Sequence, residues 1–157
     1  MNIRPAEPLD VAALAALWYH TWHEAHAHLV PPELTRVRTL DSFRERIAAA
    51  LPRLRVVGPP GEPLGFCIVK DDELYQLFVA ASARGSGAAA ALLADAEALL
   101  AGRRIHTAWL ACAIGNERAA RFYEKHGWRR VGTMVNYAET SNGAFPLEVW
   151  RYEKALD

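Results

Sequence analysis

The sequence predicts a single α/β domain, residues 1–157, on three observations. Apolar spacing alternates along the chain between two and three-to-four, giving the element order β, α, α, β, β, β, α, β, α, β, β. The length of 157 residues is about that of one domain and suffices for one substantial core. Finally, the apolar run Leu77-Phe78-Val79 passes through Arg84-Gly85-Ser86-Gly87 directly into an alanine-rich helix.

Residues 2–6 read as a short first strand. Asp10 then leads Val11, Leu14, Leu17, Trp18 and Trp22, an i, i+3, i+4 stripe that marks an amphipathic helix running to about His26 and ended by Pro31-Pro32. Ser42-Phe43-Arg44-Glu45 reads as a capping box opening a second helix that ends near Leu51. Residues 54–57 are a strand, and Gly58-Pro59-Pro60-Gly61 is a turn. Residues 64–70 and 73–79, separated by Asp71-Asp72, form an antiparallel hairpin. A third helix spans about 87–100 and is closed by Gly102. Residues 105–112 are a buried strand and 116–126 a helix. A last pair of strands, 128–137 and 145–153, is joined across Ser141-Asn142-Gly143.

The strand-to-helix junction at Arg84 to Ala89 brings successive backbone N–H groups and a helix N-terminus to one point, which makes an anion site suited to a pyrophosphate. Gly85 and Gly87 remove Cβ atoms where phosphates would approach the main chain, Ser86 lies between them, and Arg84 adds a fixed positive charge. Two other glycine-loop readings fail on spacing. A P-loop requires a lysine after its last glycine, and a dinucleotide fingerprint requires an acid at the end of the next strand, where this chain has Cys112 and Ala113.

The segment Asn116-Glu117-Arg118-Ala119-Ala120-Arg121-Phe122-Tyr123-Glu124-Lys125-His126-Gly127-Trp128 supplies the second signature. With the glycine loop, and in this order, it resembles the GNAT superfamily of N-acetyltransferases. That family's cofactor loop reads Arg/Gln-x-x-Gly-x-Gly/Ala, matched here by Arg84, Gly87 and Ala89. Its later helix reads Asn-x-x-Ala-x-x-Phe-Tyr-Glu-Lys-x-Gly-Phe/Trp. The likeness is sharp from about Gly65 to Val131 and architectural elsewhere. A proline that often stands about three residues before the Arg position is replaced by Ala81 and Ser82. The resemblance implies a mixed, largely antiparallel sheet with helices on both faces, acetyl-CoA as acyl donor, transfer to a primary amine of a small molecule or peptide, and a tendency to form homodimers.

It also implies roles. Leu77, Phe78 and Val79 end a strand that splays from the one around Cys112. The main-chain N–H near Val79 would polarise the acetyl carbonyl. Arg84, Gly85, Ser86, Gly87, Ala88 and Ala89 would hold the pyrophosphate, and Asn116 would touch pantetheine while capping its helix. Tyr123 occupies the position of the acid that protonates the departing thiolate. The same tyrosine also belongs to an apolar stripe with Ala119, Phe122 and His126, so a packing role stands beside the chemical one.

No base for the amine is evident. Tyr75 and Gln76 lie on the strand where the family often carries one, and Glu73 is the acid nearest in sequence. Acceptor contacts are expected from Trp22, His23 and His26 at the end of the first helix. His20, His23, His26 and His28 with Glu24 invite a zinc reading, but His23-Glu24-Ala25-His26 is one residue short of the His-Glu-x-x-His pattern. We expect no metal.

Composition narrows the classes further. Lys and Arg number 18 against 18 Asp and Glu, a formal net charge of +0 that argues against nucleic acid as main partner. No long uncharged apolar stretch and no basic-then-apolar N-terminus is present, so the expectation is a cytoplasmic protein away from membranes. Cys67 and Cys112 lie in apolar strand-like runs and read as buried free thiols. The rival from another class is a non-catalytic acyl-CoA-binding or sensing module, which would keep Arg84, Gly85, Gly87 and Asn116 but have no use for Tyr123.

Overall fold

A computed structural model describes residues 1–156. Its strands are Ile3–Pro5 (β1), Leu54–Val57 (β2), Gly65–Lys70 (β3), Glu73–Val79 (β4), Thr107–Ala113 (β5), Arg129–Thr140 (β6) and Gly143–Ala155 (β7). Its α-helices are Val11–His26 (α1), Pro32–Val37 (α2), Leu40–Ala50 (α3), Ala88–Gly102 (α4) and Glu117–Lys125 (α5). One seven-stranded sheet has the order β1-β2-β3-β4-β5-β7-β6. Among the described residues, only β4 and β5 run parallel. The expected mixed, largely antiparallel sheet is therefore what forms.

Helices cover both faces because the strands are apolar on both. On one face α4 packs Leu92, Leu93, Ala96 and Leu100 onto Cys67, Val69, Leu74 and Leu110, and Tyr123 of α5 joins the same cluster. On the other, α1 and α3 bury Trp18 and Phe43 against Phe66, with ring centroids 5.0 and 5.3 Å from that of Trp18. Burial of each such side chain contributes roughly 1.5–3 kcal/mol. Cys67 and Cys112 are buried free thiols, as their apolar surroundings predict.

The central relationship is between β4 and β5. They pair only at Glu73 and Trp109, where the Trp109 N–H donates to the Asp72 carbonyl at 3.2 Å. Beyond that point each strand is held by its outer neighbour alone: β4 by β3 and β5 by β7, the latter through every residue from Thr107 to Ala113. The two strands therefore part, leaving facing edges without a ladder. A β-bulge sharpens the effect: Ile68 faces Gln76 but Val69 faces Leu74, so Tyr75 is the extra residue. Because of it, Leu74 points into the α4 core while Tyr75 turns to the α1–α3 side.

Four sequence expectations need correction. The second helix is capped by Thr39, whose Oγ1 accepts from the Ser42 N–H at 3.1 Å, so Ser42 lies in the first turn rather than at the cap. A short helix, α2, precedes it, and Pro32 starts that helix rather than merely ending the one before. Gly102 belongs to the last turn of α4, and Arg104 takes the left-handed conformation instead (φ 62°). The final hairpin is longer than its pattern suggests. Pro146 sits in β7 opposite Tyr137, beyond the Val149 end of the β5 ladder, where its missing N–H costs no pairing with β5.

Candidate active site

The parting of β4 and β5 opens a cleft of ≈ 270 Å³. Its floor is the strand pair itself, with Leu77, Phe78 and Val79 on one side and Leu110 to Ala113 on the other. Tyr75, Gln76, His26, Arg84, Ala89, Asn116 and Tyr123 also line it, so ten of the residues singled out in the sequence converge here. Gly85, Ser86, Gly87 and Ala88 form the turn that carries Arg84 into α4.

That turn is built to leave amides free. Gly85 and Gly87 have φ of 79° and 90°, values that side chains with a Cβ rarely adopt, and a Cβ built on either meets no atom within 4 Å. The glycines thus serve the backbone path and the open space in front of it, rather than close packing within the protein. Ser86 Oγ donates to the Ala83 carbonyl and accepts the Ala88 N–H at 3.3 Å, which pins the loop. The N–H groups of Gly85, Gly87, Ala89 and Ala90 find no acceptor among the described residues. Four unpaired donors at the start of a fifteen-residue helix form an anion cradle.

Arg84 points its charge across the cleft mouth to Glu24 of α1. Arg118 of α5 lies 3.6 Å from the same carboxylate oxygen. The hydrogen bond and charge of Arg84 hold the Glu24 carboxyl below its usual range.

Asn116 caps α5, its Oδ1 accepting from Ala119 N–H at 3.3 Å, and its Nδ2 lies 3.5 Å from His26 Nε2. One residue therefore closes the helix and holds an imidazole at the cleft. Burial, with a smaller push from Arg38, brings the His26 pKa down to about 4, against the Trp22 carbonyl, so the ring is neutral at neutral pH. Tyr123 is 9 % exposed. Its hydroxyl makes no hydrogen bond among the described residues, and burial raises its pKa above the ordinary phenol value, so it is held in its proton-donating form.

A smaller cavity of ≈ 110 Å³ adjoins the cleft. Both are bordered by His26, Tyr75, Gln76 and Phe78, and the smaller is walled by Trp22, Val30 and the β6–β7 hairpin. Trp22, Tyr75 and Gln76 thus meet where an acceptor was expected. His23 does not: its Nε2 donates to the main-chain carbonyl of Arg38 at 2.7 Å, and it lines neither space. Its role is to brace the α2–α3 linker. Glu73 sits at the closed end of the cleft beside Trp109, and burial lifts its pKa to about 7. It too lines neither cavity. His20 and His28 are exposed, and no group of three or more His, Cys, Asp or Glu among the described residues is placed to hold a metal.

The residues that sequence reasoning missed are Arg38 and Arg46. Arg38 is buried, 4 % exposed, and borders the small cavity; Arg46 stands beside it with Nη2 3.3 Å from Tyr75 Oη and its guanidinium 4.2 Å above the Trp18 ring. No local pattern signals either one. Arg38 is buried by a hairpin whose accepting carbonyl, that of Glu139, is 101 residues away.

No helix among the described residues is long and apolar enough to cross a membrane. No functionally curated protein matches the sequence. Several solved structures share the fold. A ribosomal-protein-alanine N-acetyltransferase from Brucella melitensis superposes with TM-score 0.73 at 19% identity, covering 99% of each chain. A PaiA N-acetyltransferase from Thermoplasma acidophilum, solved in complex with coenzyme A, gives 0.70 at 17% identity, covering 98% of each. An aminoglycoside 6′-acetyltransferase type Ii gives 0.69 at 24% identity, covering 100% of this chain and 98% of the other. A family model described as the acetyltransferase (GNAT) family matches residues 13–128, a span that runs from α1 through the cleft and the glycine loop to the end of the Asn116 helix. The chain belongs to the acetyltransferase (GNAT) family and is an acyltransferase.

Proposed function

We propose that the protein moves an acetyl group from acetyl-CoA to a primary amine of a small molecule or peptide. The observation that carries this reading is the conjunction of the unladdered β4–β5 cleft with the four free amides at its mouth. A diphosphate fits the amides of Gly85, Gly87, Ala89 and Ala90, with Arg84 and Arg118 beside it. A pantetheine arm fits the cleft, where its amides pair with the open strand edges as an added strand would. The main chain near Val79 supplies the N–H that polarises the acetyl carbonyl. A phosphate-free apolar ligand would have no use for the cradle. Coenzyme A bound to the Thermoplasma protein of the same fold agrees with this assignment.

In the reaction, the neutral amine nitrogen attacks the thioester carbonyl, an N–C bond forms and the C–S bond breaks. Tyr123 donates its proton to the departing sulfur, and solvent restores it. The surplus proton on nitrogen leaves by water held among Tyr75, Gln76 and His26, since none of the three is a strong base at neutral pH. Amide and free thiol are the products.

The test is an amine panel followed by release of free coenzyme A, run beside thermal stabilisation by acetyl-CoA. Stabilisation with turnover of some amine is expected. Stabilisation with no turnover across a broad panel would return the reading to a non-catalytic acyl-CoA sensor, and no stabilisation at all would remove the donor assignment.

A further inference from the structure

Arg38 and Arg46 form a pair of guanidinium groups with no carboxylate within ion-pair distance among the described residues. Arg38 is the more constrained. One nitrogen, Nη1, donates to the Glu139 carbonyl, while Nε is fully buried without an acceptor. Its main chain is clamped by His23. The nearby Glu139 carboxylate is taken by Lys70 at 3.4 Å. A buried guanidinium with an unanswered N–H is costly unless an acceptor arrives.

The place where that acceptor would arrive is defined by how the cavities connect. The ≈ 110 Å³ space touches the cofactor cleft at His26, Tyr75 and Gln76, and touches a third cavity of ≈ 240 Å³ at Arg38, Arg46, Tyr75 and Glu139. The third cavity adds Arg53 and Lys70 against Glu45, so its lining is net positive: four cations to two anions when Glu139 is included. From the cleft outward, a ligand thus meets the open strand edge, then aromatic walls, then two guanidinium groups.

We propose that the acceptor is an amino-carboxylate, its amine at the Tyr75–Gln76 boundary and its carboxylate on Arg38 and Arg46. This rests on the acetyl-transfer reading above. A planar carboxylate matches the guanidinium fork, and a polyamine would bring further positive charge to a lining that is already net positive. Gln76 and Tyr75 reach the same space from the bulge, which is why that irregularity matters: without it Tyr75 would face the α4 core.

The experiment compares three forms of the same molecule as acceptors: amino acid, its carboxamide and the decarboxylated amine. The carboxylate form is expected to have the highest kcat/KM, by about ten- to a hundredfold, as a charge-assisted contact to a buried guanidinium implies. In Arg38→Gln the ratio between carboxylate and carboxamide should collapse toward one, and Arg46→Gln, at a half-buried position of α3, provides a second test if Arg38→Gln does not fold. Binding is measured separately, with N-acetyl amino acids against their amides on the coenzyme A-bound protein. Arg38-dependent preference for the free acid supports the inference even if no amine is turned over, in which case only the transfer reading fails. Equal use and equal binding of acid and amide by the parent overturns the inference. A stronger preference for phosphate-bearing amines over amino acids overturns it as to class.

Discussion

Glu24 of α1 and Arg84 of the glycine loop form an ion pair across the mouth of the β4–β5 cleft, with Arg118 on the same carboxylate oxygen. Three elements distant in sequence are tied together at the point where an anionic ligand would have to pass. Under the proposed donor assignment, a diphosphate bound at the free amides would compete with Glu24 for the same cations.

Replacing Glu24 with Gln should therefore tighten acetyl-CoA binding. Exposed ion pairs are weak, so the gain is at most about two- to fivefold in Kd at low salt and shrinks as ionic strength rises. Calorimetric titration at two salt concentrations measures it. Weaker binding by Glu24→Gln would mean that the carboxylate holds Arg84 in place for the ligand instead of competing with it.

Gly87→Val probes the cradle itself. The glycine has φ 90°, and a Cβ there meets no atom of the described residues within 4 Å; the folding cost is the left-handed backbone, about 1–2 kcal/mol. Its side chain projects instead into the space in front of the free amides. Acetyl-CoA affinity should fall more than tenfold while the variant still unfolds cooperatively. Unchanged affinity would remove the pyrophosphate from this loop.

What the sequence revealed about this site divides along physical lines. The glycine loop and the Asn116 cap were legible because their chemistry is local: positive φ, unpaired helix amides and a side chain reaching three residues on. The parting of β4 and β5 was expected from resemblance alone, since nothing in either strand's own pattern says that pairing stops after Glu73 and Trp109. The bulge at Tyr75 was invisible for the same reason. Arg38 acquires meaning only when a distant hairpin buries it, and helical spacing alone gives no hint that the His23 ring meets the carbonyl of a following linker. The short helix α2 has six residues, too few to display a period.

His26 gives a pH signature. Its pKa lies near 4 in the folded state against about 6.5 when unfolded, so between those values the unfolded chain binds the extra proton. Stability then rises with pH across that window and is lost as pH falls from 6.5 toward 4. By pH 5 the loss attributable to this ring is about 1–2 kcal/mol. Urea denaturation at pH 7 and pH 5 should show His26→Gln losing less stability than the parent by that amount. Parallel losses would mean that the ring is solvated and titrates normally.

Tyr123→Phe separates chemistry from packing at the centre of the site. The ring lies among Phe122, Trp128 and Tyr152, contacts that phenylalanine retains, while the hydroxyl has no partner to lose among the described residues. A structural role therefore predicts almost no change in stability or rate. Proton donation to the departing thiolate predicts a fall in kcat with acetyl-CoA affinity intact, because the interaction exists only as the C–S bond breaks. Burial keeps the phenol protonated across the working range, so its own ionisation should not limit the parent's rate below neutral pH. General acid catalysis is worth roughly 10²–10⁴-fold, and water entering the open cleft replaces part of it, so the expected loss is on the order of ten- to a hundredfold. The comparison is made with one identified amine acceptor across a range of pH. If kcat and its pH profile are unchanged in Tyr123→Phe, the thiolate takes its proton from solvent and Tyr123 belongs to the core alone.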